Sequence, residues 1–412
     1  MAAKVAFDDV SLGKANLWTN LADNITDHGN DIYFINPNTV FRKFLEKNNF
    51  EESIIEFSDN TMRDIPVSNV HNYDIIDHEM NHSQTERKSL KDLEVEYNNY
   101  CNCLDKFDID IVIFWNDMSI GKIACEAEGV STLFLENGYL NDTIQIDRQG
   151  VNSNSSVFGC SFEEIISRDP LWKPMTDEPI KKKKYEELTN VEKLKGHNNS
   201  LSIVENIVNK TKNVLSKGLP IKKELKHDLP SRFVFLPLQV NSDTQVLYNS
   251  PYVKNMKRLY SVVLSSLNSS EFNMELVVKE HPAEIKPQSY SSIKKHSDNV
   301  LWLKEYDINT LIEQADLVVT INSSVGFQSL AKGTPIVVIG EAMYSSHPNA
   351  RNPDELQAVQ DAMYDGITSN YGFTPDNYIN AFRNNIFIEG SFNNFYALTL
   401  KKIISAIYNS IE

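Results

Sequence analysis

Cysteines are few in this sequence, and long apolar runs are absent. Four cysteines occur in 412 residues and none forms a CxxC pair, which argues against a disulfide framework or a zinc ribbon. No apolar run approaches the roughly 18 residues that span a bilayer. The N-terminus lacks the apolar stretch of a signal peptide, so we expect a cytoplasmic protein.

Positive charge is also scarce. The formal net charge is −16, and such a chain repels nucleic acid at long range, so we expect no nucleic-acid partner. One local exception starts at Lys181-Lys182-Lys183-Lys184 and continues through lysines as far as Lys226. It is either a solvated helical connector or a patch that meets anionic lipid or a lipid-linked acceptor.

The fingerprints of common nucleotide cofactors are missing. The first strand–helix turn, residues 8–15, contains neither GxGxxG nor a full Walker A motif, which disfavours dinucleotide cofactors and P-loop ATP hydrolysis. No DxD motif stands at a predicted strand end. We therefore expect no cofactor and no metal.

One zinc signature does occur, as His78-Glu79-Met80-Asn81-His82. An HExxH site needs a helix with both histidines on one face and a third ligand further along. The residues that follow are polar, whereas the active-site helix of such proteases is normally buried. We treat the match as a chance one and keep zinc hydrolysis as the least favoured alternative.

Apolar runs alternate with helical patterns in two blocks, which predicts an α/β fold with two doubly wound, Rossmann-like domains. The predicted domains are an N-terminal one at 1–165, a helical and polar connector at 166–230, a C-terminal one at 231–375, and C-terminal helices at 376–412 that pack back on the first domain. The predicted strands are Lys4–Phe7, Ile32–Ile35, Ile54–Phe57, Ile111–Trp115 and Thr132–Leu135, then Phe233–Leu236, Leu276–Val278, Val300–Leu303, Leu317–Ile321 and Ile336–Ile339.

Ligands of such sheets bind beyond the carboxyl ends of the strands, in this case in an expected cleft between the two domains. Glu136 follows the last strand of the first block, and is either catalytic or a solvated loop carboxylate. Asp243 follows Phe233–Leu236 in a polar cluster that includes Gln239, which we take, like Asn322, as a candidate donor-binding residue. It is either a nucleophile or base, or only the N-cap of the next helix.

Three further strand ends carry polar groups. Lys279 and His281 lie two apart before Pro282, so in an extended segment they point the same way and suit an anion such as phosphate. Asn322, Ser323 and Ser324 open a helix whose free N–H groups and dipole also favour phosphate, although a plain serine N-cap is the simpler reading. Glu341 follows the last strand and is a candidate to bind hydroxyls of a ribose or sugar.

Six stretches together resemble the bacterial capsule-polysaccharide biosynthesis proteins that transfer β-linked Kdo from CMP-Kdo. They are Phe134-Leu-Glu-Asn-Gly-Tyr139, Asp147-Arg-Gln-Gly-Val-Asn152, Leu236-Pro-Leu-Gln-Val-Asn-Ser-Asp243, Val278-Lys-Glu-His-Pro282, Ile321-Asn-Ser-Ser-Val-Gly326 and Gly333-Thr-Pro-Ile-Val-Val-Ile-Gly-Glu-Ala342. The order and spacing of these stretches carry the resemblance, which spans about Ile111 to Tyr344.

The resemblance implies a GT-B-like fold and a retaining transfer from CMP-β-Kdo to a capsule or O-antigen acceptor, a glycan or glycolipid. The resemblance also implies that Asp243 is the nucleophile that forms a covalent glycosyl-enzyme, and that Glu136 is the base for the acceptor hydroxyl. Lys279, His281 and Pro282 hold the CMP phosphate with Ser323 and Ser324, as a similar His-Pro and serine pair does in CMP-sialic-acid transferases.

Expulsion of CMP adds one negative charge to a phosphate, which a protonated histidine and a helix N-terminus stabilise without a metal. Two alternatives stay open: another GT-B transferase, such as a CMP-sialic-acid or UDP-sugar enzyme, or a non-catalytic polysaccharide-binding or export protein. Peripheral contact with the inner membrane at its cytoplasmic face, or with other polysaccharide-assembly enzymes, is a further expectation.

Overall fold

The computed structural model describes residues 2–8, 12–57, 73–77, 79–80, 88–190, 192–193, 228–283, 290–294, 299–369 and 376–411. Its strands are β1 (Lys4–Phe7), β2 (Asp31–Ile35), β3 (Ile54–Ile55), β4 (Ile111–Trp115), β5 (Ser131–Asn137), β6 (Thr143–Asp147), β7 (Phe233–Pro237), β8 (Glu275–Lys279), β9 (Val300–Leu303), β10 (Leu317–Thr320), β11 (Ile336–Val338), β12 (Ala350–Arg351) and β13 (Phe387–Glu389).

The helices follow the same order along the chain. They are α1 (Ala15–Asp27), α2 (Thr39–Lys47), α3 (Tyr73–Asp77), α4 (Leu90–Phe107), α5 (Ile120–Glu128), α6 (Phe162–Ser167), α7 (Thr244–Leu247), α8 (Met256–Asn268), α9 (Ser291–Lys294), α10 (Ile308–Gln314), α11 (Ser324–Ala331), α12 (Val359–Thr368), α13 (Asp376–Ala381) and α14 (Ala397–Ile411).

The chain divides into two compact units. Unit 1 comprises Met1–Glu136, Leu171–Asp228 and Ile388–Glu412, and unit 2 comprises Asn137–Pro170 and Leu229–Phe387. Each contains parallel strands joined through helices, so the predicted fold class is confirmed: α/β, with two Rossmann-like domains.

Five parallel strands of unit 1 lie in the order β5-β4-β1-β2-β3. Every side chain of β4 is buried, as expected for a central strand that helices cover on both faces. The chain steps from β1 to β2 on one side and later returns to β4 on the other, so the topological switch point of this sheet lies between β1 and β4.

The C-terminal helix α14 belongs to unit 1, where it packs against α1 and β4. Its apolar side chains recur at helical spacing, and Leu400, Ile403, Ile404 and Ile407 are fully buried. The hydroxyl of Tyr408 accepts a hydrogen bond of 3.0 Å from the side-chain amide of Asn30.

The predicted connector differs from the structure where it is described. Residues 168–189 contain no helix, because the side-chain amides of two asparagines on α1 bind this backbone instead. Asn24 exchanges hydrogen bonds with Lys181 at 2.8 Å in both directions, and Asn20 does the same with Lys183 at 2.6 and 3.2 Å. The lysines from Lys210 to Lys226 lie outside the described residues.

Unit 2 is built on a six-stranded parallel sheet in the order β12-β11-β10-β7-β8-β9. Alternate residues of β7 face two separate apolar clusters, since Phe233 and Phe235 join one and Val234 and Leu236 join the other. The chain leaves β7 for β8 on one side and returns to β10 on the other. The switch point of this sheet therefore lies between β7 and β10.

Residues 137–170 lie in unit 2, whereas the sequence placed the first domain at 1–165. The reason is local packing. The buried ring of Tyr139 lies 5.8 Å from that of Phe327 and 5.3 Å from that of Tyr344, and its carbonyl oxygen accepts a hydrogen bond from the amide of Gln328 at 3.2 Å. The apolar side chains of Val157 and Ile165 join the same core cluster.

Candidate functional site

The loops that follow β7 and β10 flank the switch point of unit 2, and they carry most of the predicted site. After β7 comes Gln239, which is buried, and then the loop that ends at Asp243. After β10 comes buried Asn322, followed by Ser323 at the start of α11. Parallel strands bring these residues to one edge of the sheet.

Asp243 caps the short helix α7, in agreement with the simpler of its two predicted roles. Its Oδ1 accepts a hydrogen bond of 3.0 Å from the backbone N–H of Gln245. Burial raises the pKa of Asp243, and the hydrogen bond from Gln245 and the nearby imidazole of His281 oppose that shift. The capping bond fixes the carboxylate at the strand end.

Lys279 ends β8 and His281 follows two residues later in the exposed turn. Burial lowers the pKa of Lys279, and the carboxylate of Glu305 opposes this shift. Nδ1 of His281 accepts a hydrogen bond of 3.1 Å from the backbone N–H of Ala283, so the neutral ring carries its hydrogen on Nε2. Pro282 is exposed beside it.

The N-terminus of α11 has the features of an anion site. The hydroxyl of Ser323 accepts a hydrogen bond of 3.2 Å from the N–H of Val325, and its carbonyl accepts one of 2.9 Å from Gly326. Ser324, the first residue of the helix, is half-buried. An unpaired N–H group at this position, together with the helix dipole, favours negative charge.

Tyr344, a residue that the sequence analysis did not identify, holds the start of α11 in place. It is fully buried, and its hydroxyl donates a hydrogen bond of 2.5 Å to the carbonyl oxygen of Ser323. The approach depends on Gly326, because a Cβ at that position would lie 2.5 Å from the tyrosine oxygen. A glycine in the first turn of a predicted helix was the signal that the sequence offered.

Glu341 is exposed after β11, and its backbone N–H donates to the carbonyl oxygen of Asn249 at 2.9 Å. That hydrogen bond ties the loop after β11 to the residues that follow α7. A Cβ on Gly340 would lie 2.8 Å from the same carbonyl. The glycine therefore permits the close contact, and the carboxylate of Glu341 stays at the surface.

Unit 1 carries Glu136 near the end of β5, where it is half-buried. Side chains alternate along a strand, so Glu136 shares a face with Phe134. The ammonium of Lys122 lies 5.0 Å from the centre of the Phe134 ring and 4.0 Å from the carboxylate of Asp117. Both charged residues are buried. They form a buried ion pair beside the ring of Phe134.

A second buried carboxylate lies at the switch point of unit 1. Asp8 follows β1 and accepts hydrogen bonds from the hydroxyls of Tyr100 and, at 2.7 Å, Ser119. The pKa of Tyr100 is raised by burial and by the negative charge of Asp8. Sequence reasoning missed this cluster because its members are 92 and 111 residues apart in the chain.

The zinc signature is only partly visible, since His78 and His82 lie outside the described residues. Glu79, which is described, pairs with Lys88 at 3.1 Å, and Lys88 pairs in turn with Glu96 at 2.6 Å. Among the residues that the structure covers, no group of three or more His, Cys, Asp and Glu side chains is arranged to hold a metal ion. The expected absence of a metal and a cofactor stays a prediction.

Comparison with known proteins decides the family. The model of the capsule polysaccharide biosynthesis protein family matches residues 110–348. This chain belongs to that family. The resemblance of the sequence motifs to capsule-polysaccharide biosynthesis proteins is thereby confirmed, and the matched range includes every predicted site residue.

Among curated relatives, the chain is similar to protein FixF of Sinorhizobium fredii, with 30% identity over 252 residues. That match covers 59% of this chain and 52% of FixF, so the chain spans about half the length of that relative. It is also similar to the capsule polysaccharide export protein KpsS of Escherichia coli. Here the identity is 28% over 127 residues, covering 29% of this chain and 33% of KpsS.

Two solved structures illustrate the fold likeness. The β-Kdo 2,7 transferase KpsC of Thermosulfurimonas dismutans aligns over 92% of this chain and 89% of its own, with a TM-score of 0.42 and 14% identity. MurG of Acinetobacter baumannii aligns over 94% of this chain and 96% of its own, with a TM-score of 0.36 and 10% identity.

Proposed function

We propose that this protein is a retaining β-Kdo transferase that uses CMP-β-Kdo and modifies a bacterial surface polysaccharide. The observation that carries the proposal is the arrangement around the switch point of unit 2 in a member of the capsule polysaccharide family. There, a carboxylate with a raised pKa lies within electrostatic reach of His281.

Donor binding is assigned to the strand ends of unit 2. The phosphate of CMP would lie at the N-terminus of α11, where Ser323 and Ser324 supply hydroxyls and Ser324 supplies its N–H group, since the N–H of Ser323 donates to the hydroxyl of Thr320. Lys279 and His281 would add positive charge, and the rigid Pro282 would hold that turn. In a chain of net charge −16, such local positive groups are needed to attract a donor that carries both a phosphate and a carboxylate.

The proposed first step is attack by a carboxylate oxygen of Asp243 on C2 of Kdo. The bond from C2 to the phosphate oxygen breaks, its electron pair leaves with CMP, and an ester between Asp243 and Kdo forms. His281 and the helix N-terminus stabilise the added charge on the phosphate. No metal or cofactor is needed for this step.

In the second step, Glu136 accepts the proton of the acceptor hydroxyl while the acceptor oxygen attacks C2. The ester bond breaks and Asp243 regains its negative charge. Two inversions at the same carbon return the original configuration, which is the outcome of a retaining enzyme. Glu341, exposed at the end of β11, is assigned to the hydroxyls of the donor.

The acceptor is proposed to be a glycan or glycolipid of the capsule or O-antigen type.

No helix among the described residues has the length and apolar character needed to cross a membrane. Exposed lysines at 181–184, of which Lys183 pairs with Asp23 at 2.8 Å, are the part of unit 1 proposed to meet the cytoplasmic face of the inner membrane or an assembly partner.

A second candidate is a non-catalytic export or polysaccharide-binding protein, which the similarity to the export protein KpsS favours. The two candidates differ at Asp243. If Asp243→Ala binds CMP normally and no longer transfers sugar, the protein is an enzyme. A third candidate, a transferase with another donor sugar, is separated by comparing the affinities of CMP and UDP.

The experiment that tests the proposal is intact-protein mass spectrometry after mixing with freshly generated CMP-Kdo in the absence of an acceptor. We expect a gain of one Kdo, mapped to the peptide that contains Asp243, and no gain in Asp243→Asn. If CMP is released only when acceptors are added, the covalent step is wrong. If CMP is never released, the donor assignment is wrong.

A further inference from the structure

Two buried side-chain amides join the loops on either side of the switch point in unit 2. Nε2 of Gln239 donates a hydrogen bond of 3.0 Å to Oδ1 of Asn322. In return, Oε1 of Gln239 accepts from the backbone N–H of Asn322 at 3.4 Å. The two residues are 83 positions apart in sequence and are 6% and 3% exposed, so solvent does not compete for this pair.

The other end of the Asn322 amide faces a different element. Its Nδ2 donates to the carbonyl oxygen of Gln245 at 2.9 Å and to that of Asn249 at 3.0 Å. The three polar groups that Asn322 can offer, two N–H bonds and one oxygen, are thus all used within the protein. This residue presents no remaining N–H to a ligand.

Gln245 links this network to the predicted nucleophile. Its N–H is held by the carboxylate of Asp243 and its C=O is held by Asn322. Asn322 is followed directly by Ser323, the cap of α11. Asn322 therefore joins two elements: its side chain holds Gln245, whose N–H orients Asp243, and its backbone leads directly into the proposed phosphate-binding helix.

We infer that Gln239 and Asn322 are positioning residues, which set the distance between Asp243 and the N-terminus of α11 rather than touching the donor. Their structural coupling rests on the hydrogen bonds alone. Its catalytic consequence rests on the proposed function. The pair couples the loop after β7 to the loop after β10. A buried amide left without a partner carries the full cost of desolvation, so the two side chains are stable only when both are hydrogen-bonded.

The coupling can be measured without any substrate, by hydrogen–deuterium exchange on the whole chain. Asn322→Asp keeps the size of the side chain but points a carboxylate oxygen at the carbonyls of Gln245 and Asn249. We expect exchange to accelerate on the order of tenfold, equivalent to about one lost hydrogen bond, in peptides covering 241–249 and 322–327. Asn268→Asp, an exposed residue at the end of α8, makes the same change in charge and is the control.

Faster exchange confined to 322–327 would overturn the coupling, since α7 would then be held independently. If Asn322→Asp does not fold, Gln239→Met serves as the second variant, because it keeps the volume of the side chain and removes the donor to Asn322. It should accelerate the same two peptides by a smaller factor, and an unchanged pattern in both peptides would count against the inference.

The functional arm compares binding of CMP with the rate at which the Kdo adduct forms. A positioning role predicts that Asn322→Asp lowers the rate by about a hundredfold, while the dissociation constant for CMP rises by no more than about fivefold through the loosened start of α11. A parallel loss of CMP affinity and rate would mean that Asn322 contacts the donor directly. If the unaltered protein forms no adduct, the proposed function is wrong, and the exchange experiment still decides the coupling.

Discussion

The hydroxyl of Tyr344 donates a hydrogen bond of 2.5 Å to the carbonyl oxygen of Ser323, from a position where the ring is fully buried. Ser323 is the cap of α11, and its carbonyl belongs to the same peptide unit as the N–H of Ser324, so this contact fixes the direction of that N–H. The same carbonyl also accepts from the N–H of Gly326 at 2.9 Å, so the tyrosine hydroxyl adds a second hydrogen bond that holds this peptide. The hydroxyl thus stabilises the anion site without contacting the anion.

Replacing Tyr344 by phenylalanine removes this hydrogen bond and keeps the ring. We expect the free energy of unfolding to fall by about 0.5–1.5 kcal/mol, because the carbonyl of Ser323 loses one hydrogen bond and keeps the one from the N–H of Gly326. CMP affinity, measured by calorimetry, should fall about fivefold. The control is Tyr364→Phe, which removes a hydroxyl from a tyrosine that is 55% exposed and should change neither quantity. Unaltered CMP affinity in Tyr344→Phe would show that Tyr344 does not stabilise the anion site.

The space for Tyr344 depends on Gly326. In Gly326→Ala the new Cβ would lie 2.5 Å from the tyrosine oxygen and 3.0 Å from two ring carbons, so we expect a loss of stability of about 1–3 kcal/mol in chemical denaturation. Combining it with Tyr344→Phe removes the closest clash. The double variant should therefore be more stable than the sum of the two single losses predicts, and strict additivity would show that the two positions do not meet.

The pH dependence of adduct formation reports on Asp243. Burial raises its pKa, so the reactive carboxylate is lost on acidification at a pH above the usual aspartate value of about 4. The imidazole of His281 lowers that pKa in part, so His281→Asn should move the acid limb to higher pH, apart from any effect on the maximal rate. Rates measured by quenched mass spectrometry from pH 4 to 8 test this, and an acid limb that shifts to lower pH would contradict it.

Glu136 is assigned to the second step only, so Glu136→Gln should separate the two halves of the reaction. We expect the Kdo adduct to form at nearly the normal rate and then to persist, with transfer to acceptor reduced by at least about a hundredfold. Glu128→Gln, at an exposed residue that ends α5, is the matched control. If the adduct itself fails to form in Glu136→Gln, the residue acts in the first step instead.

His347 makes unit 2 sensitive to acid. The ring is 1% exposed, and burial lowers its pKa to about 4. Between that value and about 6.5 the unfolded chain binds a proton that the folded chain excludes, so stability is complete above pH 6.5 and falls by up to about 3 kcal/mol as the pH drops to 4.

The variant that isolates this effect is His347→Asn. Its side-chain oxygen can replace Nδ1, which accepts a hydrogen bond of 3.0 Å from the N–H of Asn349, and it does not titrate. Urea denaturation from pH 4 to 7 should give a smaller slope of stability against pH in the variant than in the unaltered protein. Equal slopes would assign the acid sensitivity to other groups.

The local pattern of the sequence located ten of the thirteen strands in the described residues, missing β6, β12 and β13, and identified the polar residues that follow several of them. The run Ile111–Trp115 matches the observed strand residue for residue, because a strand buried on both faces must be apolar throughout. Val300–Leu303 also matches, at the edge of the second sheet, where three of its four residues are half-buried. The position of Asp243, His281 and Ser323 after predicted strands made them candidate site residues, since ligands of parallel sheets bind beyond the strand ends.

Tertiary structure alone decided how these residues are held. Gln239 and Asn322 looked from the sequence like donor ligands, yet their amides bind each other and the backbone of α7 across 77 to 83 residues of chain. Tyr139 lies in unit 2 and not in the predicted first domain, because its ring packs beside Phe327. Contacts between residues so far apart depend on how buried side chains pack and pair, and neither hydrophobic period nor local propensity records that.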